Sequence, residues 1–256
     1  MRSRVVTAGA LACVLLTAAC EADSSEAEAA SSTTADLLAQ PITDGMSTPL
    51  AVDGSLIQDG GPRVRVTGLG FDRGEASAPV KVLELSDFGC IYCRQFHQET
   101  FPTLLEEFIE TGMVEWKFVP FITGIFPNSL AATQAGECVL EQSGDAFELI
   151  SDRIWTEQGE WKRSDDPEPL LRSWVTDLGI DMDSFDSCLT EDRRLNRIAS
   201  ATTLARQVGV RGTPTFVILG YPPLQGALPL ELFQQILTEV HRDATERRDA
   251  VGDAGN

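Results

Sequence analysis

Residues 80–97 read VKVLELSDFGCIYCRQFH, and this stretch decides the fold. Val80 to Leu85 is a short run rich in apolar and β-branched side chains, the pattern of a buried strand. Cys90 and Cys93 follow it one helical turn apart. They head residues 91–111 (IYCRQFHQETFPTLLEEFIET), whose apolar side chains recur at helical spacing. Pro102 reads as a kink in that helix and Gly112 as its stop. Two thiols so placed can shuttle between dithiol and disulfide, the first sulfur lying at a helix N-terminus. The same pair can also clasp a metal. The compartment and the other cysteines decide between these.

Working outward, Val114 to Val119 reads as the next strand and completes a β-α-β unit. Upstream, Arg63 to Val66 has a short strand pattern and a Gly-rich turn follows it. Residues 128–208 read as almost wholly helical, with helices expected near 128–142, 145–158, 167–178 and 190–208. Strand pattern returns at Thr215 to Leu219 and briefly at Leu224 to Gly226, and an amphipathic helix runs from Pro229 to Val240. The class is α/β, in the order β-β-α-β, a helical block, then β-β-α. The expected boundaries are a first half over 51–127, a helical insertion over 128–208, a second half over 209–242 and a disordered tail over 243–256.

The N-terminus reads as an export signal. Arg2 and Arg4 precede Val5 to Ala19, an apolar stretch too short to span a bilayer comfortably. The following Thr17-Ala18-Ala19-Cys20 resembles a bacterial lipobox, which implies a signal peptide over 1–19 and a lipid on Cys20. Ordinary secretion and an uncleaved signal anchor are the alternatives. Residues 20–50 are rich in Ala, Ser, Thr and acid and read as a flexible, lipid-anchored tether. The formal charge of −19 argues against nucleic-acid binding and for solubility.

Six cysteines divide accordingly. Cys13 leaves with the signal and Cys20 takes the lipid, so Cys90, Cys93, Cys138 and Cys188 remain. An even number in an oxidising compartment favours disulfides over zinc. With His97 and His241 the chain has two histidines, too few for a nitrogen-ligated centre, so no metal and no cofactor are expected.

Four segments together resemble the exported DsbA-like proteins of the thioredoxin superfamily. They are Ser77-Ala78-Pro79-Val80, Ser86-Asp87-Phe88, Cys90-Ile91-Tyr92-Cys93-Arg94-Gln95-Phe96-His97, and Gly209-Val210-Arg211-Gly212-Thr213-Pro214-Thr215-Phe216. The resemblance covers about residues 62–242 and implies a thioredoxin fold with an inserted helical domain between its β-α-β and β-β-α halves. It further implies that Thr213-Pro214 is a cis-proline segment, packed against the dithiol and offering backbone to an extended substrate. Glu84, six residues before Cys90, takes the place of a buried acid that relays protons to Cys93; a solvated strand-end carboxylate is the alternative. Ile91 stands where family members often carry Pro. His97 lies on the helical face of Cys93, as a local acid–base group or as a packing or surface histidine. Cys138 and Cys188 both fall in the helical insertion. A structural disulfide is expected between them, with a redox relay from Cys90 and Cys93 as the alternative.

The function expected is that of an extracytoplasmic thiol–disulfide oxidoreductase, an oxidase that gives its Cys90–Cys93 disulfide to reduced, unfolded exported proteins. A second redox partner would recycle the pair, the lipid would hold the chain at the membrane, and the protein would be a monomer. A disulfide isomerase or reductase is the nearest alternative. A non-enzymatic binding lipoprotein of the same fold is a more distant one.

Overall fold

A computed structural model describes residues 68–254, together with 55–56 and 64–66. The expected signal peptide, the tether and Cys20 lie outside the described residues. Its centre is a five-stranded sheet of β3 (Phe71–Arg73), β5 (Val114–Pro120), β4 (Val80–Ser86), β6 (Thr215–Ile218) and β7 (Leu224–Gln225), in that spatial order. Strands β4 and β5 are parallel; the other neighbours are antiparallel. A separate two-stranded ribbon pairs β1 (Ser55–Leu56) with β2 (Val64–Arg65).

Strand β4 lies in the middle because its sequence can be covered on both faces. Val80 and Val82 pack on one side with Trp116, Phe216 and Phe233. Leu83 and Leu85 pack on the other with Val119, Val217 and Leu204. This alternation places Glu84 on the Val82 side, the side that the dithiol helix covers.

That helix makes the crossover which a parallel pair requires. It begins as α1 (Ile91–Gln95), passes through a π-helical turn (Phe96–Thr100), continues as α2 (Phe101–Leu104) and closes in a second π turn (Leu105–Ile109). The irregularity sits where Pro102 was expected to kink the chain. The Phe101 N–H bonds the Phe96 carbonyl five residues back, just before the proline that cannot donate at all.

Strand β3 replaces part of the expected Gly-rich turn. It has only three residues, one of them a buried arginine, so it shows no alternation. Gly70 makes it possible: a side chain there would strike the Phe118 carbonyl on β5. The insertion consists of α3 (Ser129–Leu140), α4 (Gly144–Thr156), α5 (Gln158–Trp161), α6 (Glu168–Val175), α7 (Met182–Thr190) and α8 (Leu195–Gln207). Helix α7 lies between the expected segments. Asp181 caps it by accepting from the Ser184 N–H, a local signal that the surrounding Asp and Ser residues hid.

The tail expected to be disordered over 243–256 is instead helical to Ala254, as the continuation of α9 (Leu230–Ala254). Tertiary contacts explain the extra turns. The Tyr221 hydroxyl donates to Asp243 at 3.1 Å, and Arg247 donates to the Tyr221 oxygen at 2.9 Å. Ala244 packs on the core that holds Phe233 and Val240.

Candidate active site

Cys90 occupies the N-cap position of α1 and is buried, with 3% of its surface exposed. Cys93 is wholly buried, and both are free thiols. Ile91 and Tyr92, between them, are more than half exposed. The Thr213–Pro214 peptide bond is cis, and the Thr213 carbonyl lies 3.2 Å from Cys90 Sγ, where it accepts from the thiol form.

The two sulfurs differ in acidity. A hydrogen bond from Cys93 is the largest influence on Cys90. Together with the Thr213 side chain and the Cys93 and Tyr92 N–H groups, it outweighs burial and lowers the Cys90 thiol to about 6. The two N–H groups belong to the open first turn of the helix, where unpaired donors and the positive dipole end favour an anion. Burial pushes Cys93 the other way, well above an ordinary thiol, and its hydrogen bond to Cys90 adds to the rise. The outer sulfur is therefore the thiolate and the inner one holds the proton.

Glu84 is fully buried behind this pair. Burial alone would raise its carboxyl. The charge of His97 opposes that, as do hydrogen bonds from His97, Ser86 and Trp116, and the balance lies below the ordinary value. His97 Nε2 stands 2.7 Å from Glu84 Oε1, and the Trp116 indole donates to Oε2 at 2.9 Å. His97 is thus placed in hydrogen-bond contact with Glu84 rather than at the surface, and it stacks flat on Trp155 with centroids 4.6 Å apart.

Three groups that sequence reasoning missed hold the dithiol loop in place. Asp87 is buried and takes hydrogen bonds from the Gly89 N–H, the Ser129 hydroxyl, and both the N–H and hydroxyl of Thr123. Gln158 spends both amide hydrogens on the carbonyls of Phe88 and Cys90, at 2.7 and 2.8 Å. Lys162 donates to the carbonyl between them, on Gly89, at 2.5 Å. Three consecutive carbonyls before α1 are thereby tied to the insertion. Gly89 is needed for the close fit, since a Cβ there would meet Phe126 at 2.3 Å. No local pattern marks a glutamine or a lysine for such a task.

Cys138 on α3 and Cys188 on α7 are joined by a disulfide, with Cα atoms 5.8 Å apart. Both are buried. Among the described residues, no cluster of three or more His, Cys, Asp or Glu side chains is placed to hold a metal ion, and no helix is long and apolar enough to cross a membrane.

A family model described as thioredoxin matches residues 68–238. The Na(+)/H(+) antiporter NhaA 3 of Salinispora tropica is 34% identical over 150 residues, which is 58% of this chain and only 21% of that protein. A protein of Bacillus cereus named "Probable disulfide bond formation protein D" is 30% identical over 149 residues, 57% of this chain and 68% of its own. The crystal structure of oxidised BdbD from Bacillus subtilis superposes with a TM-score of 0.62 at 20% identity, covering 69% of this chain and 95% of its own. At that identity the likeness is one of fold.

Proposed function

Because the chain belongs to the thioredoxin family, among its DsbA-like thiol–disulfide oxidoreductases, we propose that it is an extracytoplasmic oxidase that gives its Cys90–Cys93 disulfide to exported proteins. One observation carries this reading: the Cys90 thiol is lowered to about 6 while Cys93 keeps its proton. A stable outer thiolate favours the reduced form of the pair, and a pair that prefers to be reduced is an oxidant.

The exchange balances as follows. A substrate thiolate attacks Cys90 Sγ of the disulfide, and Cys93 leaves with the electron pair and takes up a proton. A second substrate thiolate then attacks the substrate sulfur of the mixed disulfide, and Cys90 leaves as its thiolate. The substrate gains a disulfide and the enzyme holds two electrons. A disulfide or quinone partner must then take these away. Thr213 and Pro214, beside Cys90, are the proposed rest for the substrate backbone, and Ile91 and Tyr92 offer it apolar surface. Glu84 is the proposed base for Cys93, and the Cys138–Cys188 bridge is read as structural.

Equilibration of the protein against glutathione redox buffers tests the direction of electron flow. The expected potential lies well above the roughly −270 mV of thioredoxin, toward the range of strong oxidants. A value at or below thioredoxin's would replace the oxidase with a reductase. The membrane anchor at Cys20 is proposed from the lipobox-like sequence. Cys20→Ser is expected to move the exported protein from the membrane to the soluble fraction; unchanged partition would remove the lipid.

A further inference from the structure

Four side chains between β4 and the dithiol helix form a continuous buried path. Glu84 and Ser86 are two residues apart on the strand and so share a face; Cys93 and His97 are four apart on the helix and share another. The strand face meets the helix face. Ser86 donates its hydroxyl hydrogen to Glu84 Oε1, and a hydrogen bond from Ser86 to the Cys93 sulfur favours the Cys93 thiolate. Glu84 Oε1 also faces His97 Nε2 at 2.7 Å. Cys93, Ser86 and Glu84 are all sealed from solvent, with Trp155 laid over His97.

We propose that Ser86 is a catalytic residue, its hydroxyl carrying the proton between Cys93 and the Glu84–His97 pair. The proposal rests on the reading of Cys90 and Cys93 as an exchanging dithiol, and it adds a residue which that reading does not need. A hydroxyl has one donor and two acceptor sites, so it can accept from the Cys93 S–H while it donates to a carboxylate. Cys93 has no bulk water to lose its proton to, and Glu84 is the buried carboxylate that the Ser86 hydroxyl joins to it.

In the recycling half of the cycle the steps balance without any further reagent. Cys90 is first joined to the partner in a mixed disulfide. The Cys93 proton passes to Ser86 Oγ as the Ser86 proton passes to Glu84. The Cys93 thiolate then attacks Cys90 Sγ, the Cys90–partner bond breaks, and the electron pair leaves on the partner's sulfur. When a substrate later reduces the pair, Cys93 departs as a thiolate and the same two transfers run backward.

Mixing the chain carrying Cys13→Ser and Cys20→Ser, with Cys90 and Cys93 reduced and the Cys138–Cys188 bridge intact, with dithiobis(nitrobenzoate) at neutral pH separates the two events. Cys90 attack releases the first nitrothiolate, and Cys93 resolution releases the second. Ser86→Ala is expected to leave the first phase within about twofold and to slow the second at least about tenfold, within the range for loss of a positioned acid–base group. Ser86→Thr, which restores the hydroxyl, should bring the second phase back. In the parent protein the second phase alone should slow in deuterated water, a result that needs no variant to fold. A second phase unaffected by Ser86→Ala, one slowed equally by Thr and Ala, or one indifferent to deuterium would overturn the role of Ser86. A parent protein that never releases the second nitrothiolate would instead sink the exchanging dithiol itself.

Discussion

Alkylation of Cys90 in the reduced protein is expected to titrate with a midpoint of about 6, and Cys90→Ser is expected to bring thiol–disulfide exchange down to background. At pH 7 a thiol of that acidity is about nine-tenths ionised, against roughly one part in a hundred for a cysteine at the ordinary value of 9.0. A less basic sulfur is also a weaker nucleophile, and the Brønsted dependence costs roughly twentyfold over this range. The net gain at pH 7 is therefore only about fourfold. At pH 5 the ionised fractions differ about a thousandfold, so the gain grows to about fortyfold. The acid side is where iodoacetamide kinetics should discriminate, and a midpoint near 9 would remove the stabilised thiolate.

The sign for stability follows from the same shift. A group whose acidity rises on folding stabilises the folded reduced form at high pH. That contribution is complete above about pH 9, shrinks below it, and is gone once pH falls through about 6. The oxidised form has no such group. The pair should therefore be a stronger oxidant, relative to an ordinary dithiol, at neutral pH than at pH 5. Among the described residues, Cys90→Ser leaves the fully buried Cys93 as the free thiol, which no external disulfide can reach, so residual exchange well above background would contradict the assignment of the nucleophile.

What could be read in the sequence was local. The β4 run, the helix after it, the two cysteines and Thr213-Pro214 each sit in a pattern of a few residues, and their order supplied the topology. What could not be read depended on contacts across long separations. Glu84 and Trp116 are 32 residues apart, and Gln158 reaches Cys90 across 68. Neither tryptophan nor glutamine carries a signature for such a role. His97 was open between packing and acid–base work until the fold set it against Glu84. Strand β3 was hidden by its brevity and by Arg73, whose charge is answered by Glu148 at 2.9 Å. The far end of α9 looked like a polar tail because the residue that orders it, Tyr221, lies outside the helix.

Removing the Cys138–Cys188 bridge is expected to destabilise the protein by about 4 kcal/mol while sparing exchange at low temperature. The bridge closes a loop over a sequence separation of 50, and the loop entropy it removes from the unfolded chain sets that magnitude. For a domain of this size the loss corresponds to a Tm lower by about 8–16 °C. The double variant Cys138→Ala/Cys188→Ala is the right probe, because a reductant would convert Cys90 and Cys93 as well. Contacts other than the bridge also hold α3: Glu137 on it takes hydrogen bonds from Arg194 and Arg197, so the insertion should still fold when cold. The same insertion supplies Gln158 and Lys162 to the carbonyls of Phe88, Gly89 and Cys90. Exchange should therefore fail with the melting of the insertion and not before it. If the double variant melted within about 2 °C of the parent, the bridge would not be the staple. If it lost exchange at low temperature while still folded, electrons would have to pass through Cys138 and Cys188, and the bridge would belong to the redox chemistry instead.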